Sequence, residues 1–185
     1  MNDGEEQEKV VWQGRFITTK VRGNWEYVGR SRGIRAAVIL AVDADGHVIL
    51  VEQFRVPLGR NCVELPAGLI GDEDHLADEG DEAAAARELE EETGYRAGRM
   101  ENLGEFWSSP GMVSESYTLM RAHEIIKVSD GGGVPGENIT VHRVALAALP
   151  SFIAQRRAVG DAIDGKILLV LGPHIMAANH GFERI

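Results

Sequence analysis

From Val10 to Arg30 the chain is rich in β-branched and aromatic residues (VVWQGRFITTKVRGNWEYVGR), the pattern of strands joined by a turn at Gly23-Asn24. Two apolar runs follow around Asp43-Ala44-Asp45-Gly46 in RAAVILAVDADGHVILVEQFR, which predicts a β-hairpin. CVELPAGLI predicts one short strand ending at Pro66-Ala67-Gly68, and the acidic GDEDHLADEGD predicts a loop. EAAAARELEEET gathers strong helix formers and is closed by Gly94 as a C-cap. NLGEFWSS and SYTLMRAHEI read as strands on either side of Pro110-Gly111, and SDGGGVPGEN as a flexible loop before a strand at ITVHRV. Two helical segments complete the pattern. One runs from Leu149 to Arg157, with Pro150 tolerated in its first turn. The other runs from Gly165 to Asn179, where Pro173 predicts a kink. Strands, mostly in hairpins, with helices interspersed predict an α/β fold, a mixed sheet covered by helices.

Composition narrows the class. A length of 185 residues suits one domain with a sizeable core, and 44% hydrophobic against 26% charged residues fits a soluble globular protein. The longest apolar run, AAVILAV at 36–42, is too short to span a bilayer, so no membrane partner is expected. MNDGEEQEK at the start lacks the apolar stretch of a secretory signal. Cys62 is the single cysteine, which excludes an intrachain disulfide and points to a reducing, cytoplasmic setting. A net charge of −10 argues against a nucleic-acid surface. An anionic substrate would need a local positive offset, which a divalent metal supplies.

The stretch ARELEEETGY places Glu88, Glu90, Glu91 and Glu92 within five positions. At about 100° per residue, Glu88, Glu91 and Glu92 share one helix face and Glu90 points away. Like charges at this spacing cost roughly 0.2–0.5 kcal/mol each, which a solvated face can tolerate. The other reading is a hard cation held by carboxylate oxygens from one rigid element.

RELEEETGY at 87–95, with Glu79 separated from Arg87 by seven residues, resembles the second half of the Nudix signature, Arg-Glu-apolar-x-Glu-Glu-x-Gly-apolar. The chain is therefore similar to the Nudix hydrolases. Position 73, where the signature opens with glycine, is glutamate here. Gly68 is the nearest equivalent, which implies a five-residue insertion before Glu79. EQFRVPLGRNCVELPAGLI at 52–70, and Pro110 as the sixteenth residue after Gly94, resemble the ADP-ribose pyrophosphatase branch. NWEYVGR at 24–30 resembles the segment with which ADP-sugar hydrolases hold adenine and phosphates. GDP-mannose hydrolases share much of the pattern.

The resemblance implies a Nudix fold, a mixed β-sheet sandwiched between helices, with an N-terminal strand extension. Residues 1–9 are then a mobile acidic start, 10–32 a strand segment that builds a homodimer, and 33–185 the hydrolase domain. It implies Mg²⁺, with Mn²⁺ as an alternative, held by Glu88, Glu91, Glu92 and the backbone carbonyl of Ala67. Arg87 would orient the helix. Trp25 would stack on adenine while Glu26 accepts from the base, and Arg30 and Arg55 would clamp phosphate or ribose. Pro110, Gly111 and Glu115 would shape the sugar end of the site. Glu137, on the glycine-rich loop, would be the general base delivered by loop closure, with Glu92 or Glu91 as the fallback. Each also has a plain reading, Trp25 as a strand aromatic and the charges as surface residues. His123, His142 and His174 show no ligand spacing. The reaction implied is Mg²⁺-dependent hydrolysis of ADP-ribose to AMP and ribose 5-phosphate. The rivals are another nucleoside diphosphate sugar such as GDP-mannose, a non-catalytic module sensing ADP-ribose or NAD, and a merely solvated acidic helix.

Overall fold

The computed structural model describes residues 7–31, 35–70, 80–134 and 136–177. Glu79, the acidic loop before it, residues 1–6 and the last residues of the C-terminal helical segment lie outside the described residues. In chain order the elements are β1 (Lys9–Gln13), β2 (Ile17–Arg22), β3 (Trp25–Arg30), β4 (Arg35–Ala41), β5 (His47–Arg55), β6 (Arg60–Glu64) and β7 (Ala67–Ile70). Then come α1 (Asp81–Thr93), β8 (Tyr95–Arg96), β9 (Arg99–Trp107), β10 (Ser116–His123), β11 (Ile126–Lys127) and β12 (Thr140–Ala145). The chain closes with α2 (Leu149–Ala158), β13 (Ala162–Ile163) and α3 (Leu168–Ala177).

Two four-stranded mixed sheets form the body, ordered β7-β4-β10-β9 and β12-β5-β6-β13. The parallel pairs are β4 with β10 and β6 with β13. Alternation along the central strands assigns each side chain to one of two cores. Ala37, Ile39, Ala41, Ile49 and Met120 pack with Ala84, Ala85 and Leu89 of α1. Val38, Val48, Leu50 and Leu119 pack with Leu149 and Ile153 of α2 and with Val170 and Leu171 of α3. Helices thus cover both faces, as the sequence predicts for a mixed α/β fold.

The predicted hairpin at Asp43–Gly46 is half right. Its turn forms, with the Asp43 N–H donating to the His47 carbonyl at 2.9 Å and Gly46 at φ 77°. The strands meet only at Val42 and Val48 and then part into different sheets. Both are apolar on successive residues, so each needs cover on two faces and neighbours on two edges. β4 finds β7 and β10, and β5 finds β6 and β12. CVELPAGLI is likewise two strands rather than one. β6 stays with β5, the chain crosses at Leu65-Pro66, and β7 joins β4. Pro66 accepts the Ile39 N–H at 2.8 Å through its carbonyl, and its own lack of an N–H suits the break in the ladder. This crossover lays Ala67 and Gly68 against α1.

The C-terminal helical segment begins with a 3₁₀ turn at Gly165–Ile167, so α3 proper starts at Leu168 and carries Pro173 within it. The N-terminal strands make a separate antiparallel sheet, β1-β2-β3. Lys9 already belongs to β1, and Glu8 is bonded to Lys20, Arg22 and Tyr27. Val10, Val11, Trp12 and Trp25 on this sheet are all more than half exposed. β3 docks on the body through Val28, which exchanges backbone bonds with Met112 and Ser114. Among the described residues, no helix is long and apolar enough to cross a membrane.

Candidate active site

β7 runs past α1 so closely that a Cβ at Gly68 would lie well under 3.0 Å from Cγ and Cδ of Glu88. Only glycine admits that carboxylate. One residue earlier, the Ala67 N–H donates to Glu92 Oε2 at 3.0 Å. Glu92 is 5% exposed, and burial, reinforced by the charges of Glu88 and Glu137, pushes its carboxyl up to about 8. The Ala67 N–H and Arg55 pull the other way. Burial also raises Glu88, with Glu91 and Glu137 adding to the effect and Arg87 opposing it. Glu92 is buried, Glu88 is partly buried and shares Arg87 with Glu91, and both face a third acid, Glu137, so the cluster is short of positive charge. That is the electrostatic state a cation relieves.

Glu88, Glu92, Ala67 and Glu137 open onto one cleft of ≈ 770 Å³. Three cations line it, each on a carboxylate. Arg55 forks onto Glu64 with bonds of 2.7 and 2.6 Å, and the Glu64 side chain is 7% exposed. Arg30, at the end of β3, reaches Glu115 Oε1 through Nε at 2.7 Å and Nη2 at 2.6 Å. Lys166 Nζ lies 2.6 Å from Asp164 Oδ2, and the other Asp164 oxygen accepts the Lys166 N–H at 2.7 Å. Among the described residues, six carboxylates stand against these three cations, those of Glu64, Glu88, Glu92, Glu115, Glu137 and Asp164. The excess of acid sits at Glu88, Glu92 and Glu137. A divalent cation with an all-oxygen preference fits there.

Lys166, Asp164, Ser108 and Tyr117 escape the sequence reading. They also border an adjoining recess of ≈ 610 Å³ that reaches Leu168 and Leu169. No motif flags them, because β10, the strand before it and the α3 approach meet only in three dimensions. The one local signal is Asp164-Gly165-Lys166, a capped turn.

Not all expected residues converge. Glu91 is 41% exposed at its side chain and lines a different recess with Ser129 and Gly131. Arg87 stands between the two glutamates, with Nη1 3.1 Å from Glu88 Oε1 and 3.2 Å from Glu91 Oε2. Glu90 points away and pairs with Arg96. Trp25 and Glu26 do not line the cleft. They sit exposed at the far end of β3, about 16 Å along the strand from Arg30. Pro110 and Gly111 form the exposed tip of a turn whose stems, Ser108 and Glu115, do line it.

The glycine-rich loop is docked. Gly132 N–H donates to the Glu92 carbonyl at 2.8 Å and Gly133 N–H to the Glu91 carbonyl at 3.0 Å. Gly131 adopts φ 70°, and a Cβ there would collide with the backbone of Thr93 and Gly94. Composition that reads as flexibility is here the condition for close backbone contact. Glu137 Oε2 accepts the Val134 N–H at 2.9 Å within the same loop.

Among the described residues, the compact meeting of potential ligand atoms is elsewhere. Asp43, Asp45 and His47 offer atoms within 4.8 Å of one another at the β4–β5 turn. Arg143 already spans Asp43 Oδ2 and Asp45 Oδ2 at 2.6 Å each, and Asp43 Oδ1 accepts the N–H groups of Asp45 and His47. Those oxygens are compensated, whereas Glu92 takes the Ala67 N–H and Glu88 shares Arg87 with Glu91.

Comparison with known proteins gives a match to the NUDIX domain over residues 32–158. The ADP-ribose pyrophosphatase of Bacillus subtilis (strain 168) is 42% identical over 90 residues, covering 49% of this chain and 46% of that protein. The match thus spans less than half of that relative. The GDP-mannose pyrophosphatase of Yersinia pestis (strain Pestoides F) is 33% identical over 148 residues, covering 76% of this chain and 70% of that protein. A solved structure titled as an ADP compounds hydrolase superposes with a TM-score of 0.64 at 20% identity, over 94% of each chain, and supports the fold.

Proposed function

The chain belongs to the NUDIX domain family, and from that premise we propose that it hydrolyses the pyrophosphate bond of ADP-ribose to AMP and ribose 5-phosphate with Mg²⁺, or Mn²⁺ in its place. The observation that carries this reading is the acid excess at Glu88, Glu92 and Glu137, with Glu92 buried and its carboxyl raised, in a cleft also lined by Arg30, Arg55 and Lys166. A pyrophosphate brings its own negative charge, so acids alone would repel it and cations alone would not activate water.

Glu88, Glu91 and Glu92 with the Ala67 carbonyl would hold the metal, which when bound neutralises phosphate oxygens and polarises water. Glu91 is the member that stands outside the cleft, paired with an Arg87 that also contacts Glu88. Arg30 and Lys166 would donate to phosphate oxygens. Arg55 commits one N–H each of Nε and Nη2 to Glu64, leaving Nη1 and the second Nη2 hydrogen as donors toward substrate. A water oxygen attacks one phosphorus, its proton passes to Glu137, and the bridging oxygen leaves with the other phosphate. Glu92 is the fallback base. Its raised carboxyl needs the metal before it can ionise fully near neutrality.

Trp25 and Glu26 remain proposed adenine contacts, to be reached by a nucleoside lying along β3 or in a homodimer. The exposed apolar sheet carrying Val10, Val11, Trp12 and Trp25 supports such a dimer. The Yersinia match favours GDP-mannose as a second substrate reading. A non-catalytic sensor is less well supported, since the full glutamate set is present. A panel of nucleoside diphosphate sugars, assayed with Mg²⁺ and with EDTA, decides. Release of AMP and ribose 5-phosphate from ADP-ribose supports the reading, and turnover of GDP-mannose alone moves the assignment to that sugar. No metal-dependent turnover of any sugar nucleotide overturns the enzyme reading.

A further inference from the structure

The last carbonyls of an α-helix have no partner within it. In α1 the Glu90 carbonyl accepts the Gly94 N–H, and the carbonyls after it are taken up by one segment, residues 127–133. Gly133 N–H binds the Glu91 carbonyl, Gly132 N–H the Glu92 carbonyl, and Val128 and Ser129 N–H the Gly94 carbonyl. The Thr93 carbonyl is left to a side chain, Lys127 Nζ, at 2.9 Å. Lys127 also lies 4.9 Å over the Tyr95 ring, and its backbone pairs with Tyr95 across the β8–β11 ribbon. The last turn of α1 contains no basic residue of its own and ends in glutamates. A cation on its terminal carbonyl is therefore favoured by the helix dipole.

The same segment leads directly to Glu137. Ile139 N–H returns to the Gly132 carbonyl at 3.3 Å, and the Glu137 carboxylate folds back against Gly133. The candidate base is thus referenced to the end of the helix that carries Glu88 and Glu92, through a handful of bonds.

We propose that Lys127 is a positioning residue for hydrolysis, fastening the loop that follows it to the end of α1 so that Glu137 faces Glu88 and Glu92. The proposal rests on the reading of Glu137 as the base. A residue that only stabilised the fold would change the melting temperature and leave turnover alone. Misplacing a reacting group by about an ångström costs up to about a hundredfold.

The test is a double-mutant cycle in steady-state kinetics on ADP-ribose with saturating Mg²⁺, using Lys127→Met, Glu137→Gln and the pair. Lys127→Met should lower kcat about tenfold or more while KM stays within about twofold. Lys127→Arg, which keeps the cation, should recover most of the loss. In the Glu137→Gln background Lys127→Met should add nothing, because the group it positions is already disabled. An unchanged kcat in Lys127→Met, or the same loss in both backgrounds, overturns the proposal. A silent Glu137→Gln with an impaired Lys127→Met removes the base assignment and this proposal with it, while metal-dependent turnover by the wild type leaves the wider reading standing. Should Lys127→Met not fold, Lys127→Gln, which removes the charge and keeps a polar end, is read in the same cycle.

Discussion

The backbone N–H of Ala67 donates to Glu92 Oε2 across 3.0 Å, tying the first residue after a sheet crossover to the last glutamate of α1. That bond brings a backbone carbonyl, the buried Glu92 and the half-buried Glu88 to one spot, and it makes Glu92 the group whose ionisation reports on the site.

Glu92 should give the metal-free protein a distinctive pH response. Its carboxyl lies at about 8 in the fold against an ordinary 4.5. Between these values it is protonated when folded and ionised when unfolded, so stability falls as pH rises through that window. Glu92→Gln cannot ionise and lacks this decline. Denaturant unfolding in EDTA at pH 5 and pH 8 should show the wild type losing more stability than Glu92→Gln. Added Mg²⁺ should restore the wild type at pH 8 by binding the folded state. Parallel losses in the two proteins would mean that Glu92 ionises normally.

Gly68→Ala should impair turnover more than stability. The new Cβ meets the movable end of Glu88, so the side chain can swing aside, but not while keeping its place beside Ala67. Loss of a metal ligand's position predicts at least a tenfold fall in kcat, by comparison with the roughly 10–100-fold effects of disturbing ligand support. Thermal melts with kinetics across Mg²⁺ concentrations check it. A fully active Gly68→Ala would separate Glu88 from the metal.

Lys166→Met should raise KM for ADP-ribose while leaving the fold intact. A hydrogen bond to a charged group is worth about 1.5–3 kcal/mol, roughly ten- to a hundredfold in binding. Lys166 Nζ is held in place by Asp164, so little ordering is needed when substrate arrives. An unchanged KM would leave Lys166 as a cap on its own turn.

What sequence could read here was local. The helix, its Gly94 cap and the glutamate spacing are all properties of consecutive residues, and α1 forms as predicted. Angles on that helix also explain the outlier. Glu88 and Glu92 are about 40° apart, whereas Glu91 is about 100° from Glu92, near enough to Arg87 to be drawn off. Strand partners were not legible. The unbroken apolar runs show that β4 and β5 are strands, but not that their turn joins two sheets rather than one hairpin. The crossover at Leu65-Pro66 was hidden for the same reason. Lys166, Ser108 and Tyr117 reach the cleft only through long-range packing. The glycines of the 131–136 loop were visible, but their use was not, since a tight backbone contact and a free hinge call for the same residue.

The account stands on where the divalent metal binds. Titrating Mn²⁺ into the wild type, Glu88→Gln, Glu92→Gln and Asp43→Asn, with free ion followed by electron paramagnetic resonance, tests this directly. Stoichiometric binding should be present in the wild type, weakened at least tenfold in both glutamate variants, and unchanged in Asp43→Asn, whose carboxylate already serves Arg143 and two backbone N–H groups. Binding retained in the glutamate variants and lost in Asp43→Asn would place the metal at the β4–β5 turn and contradict the account.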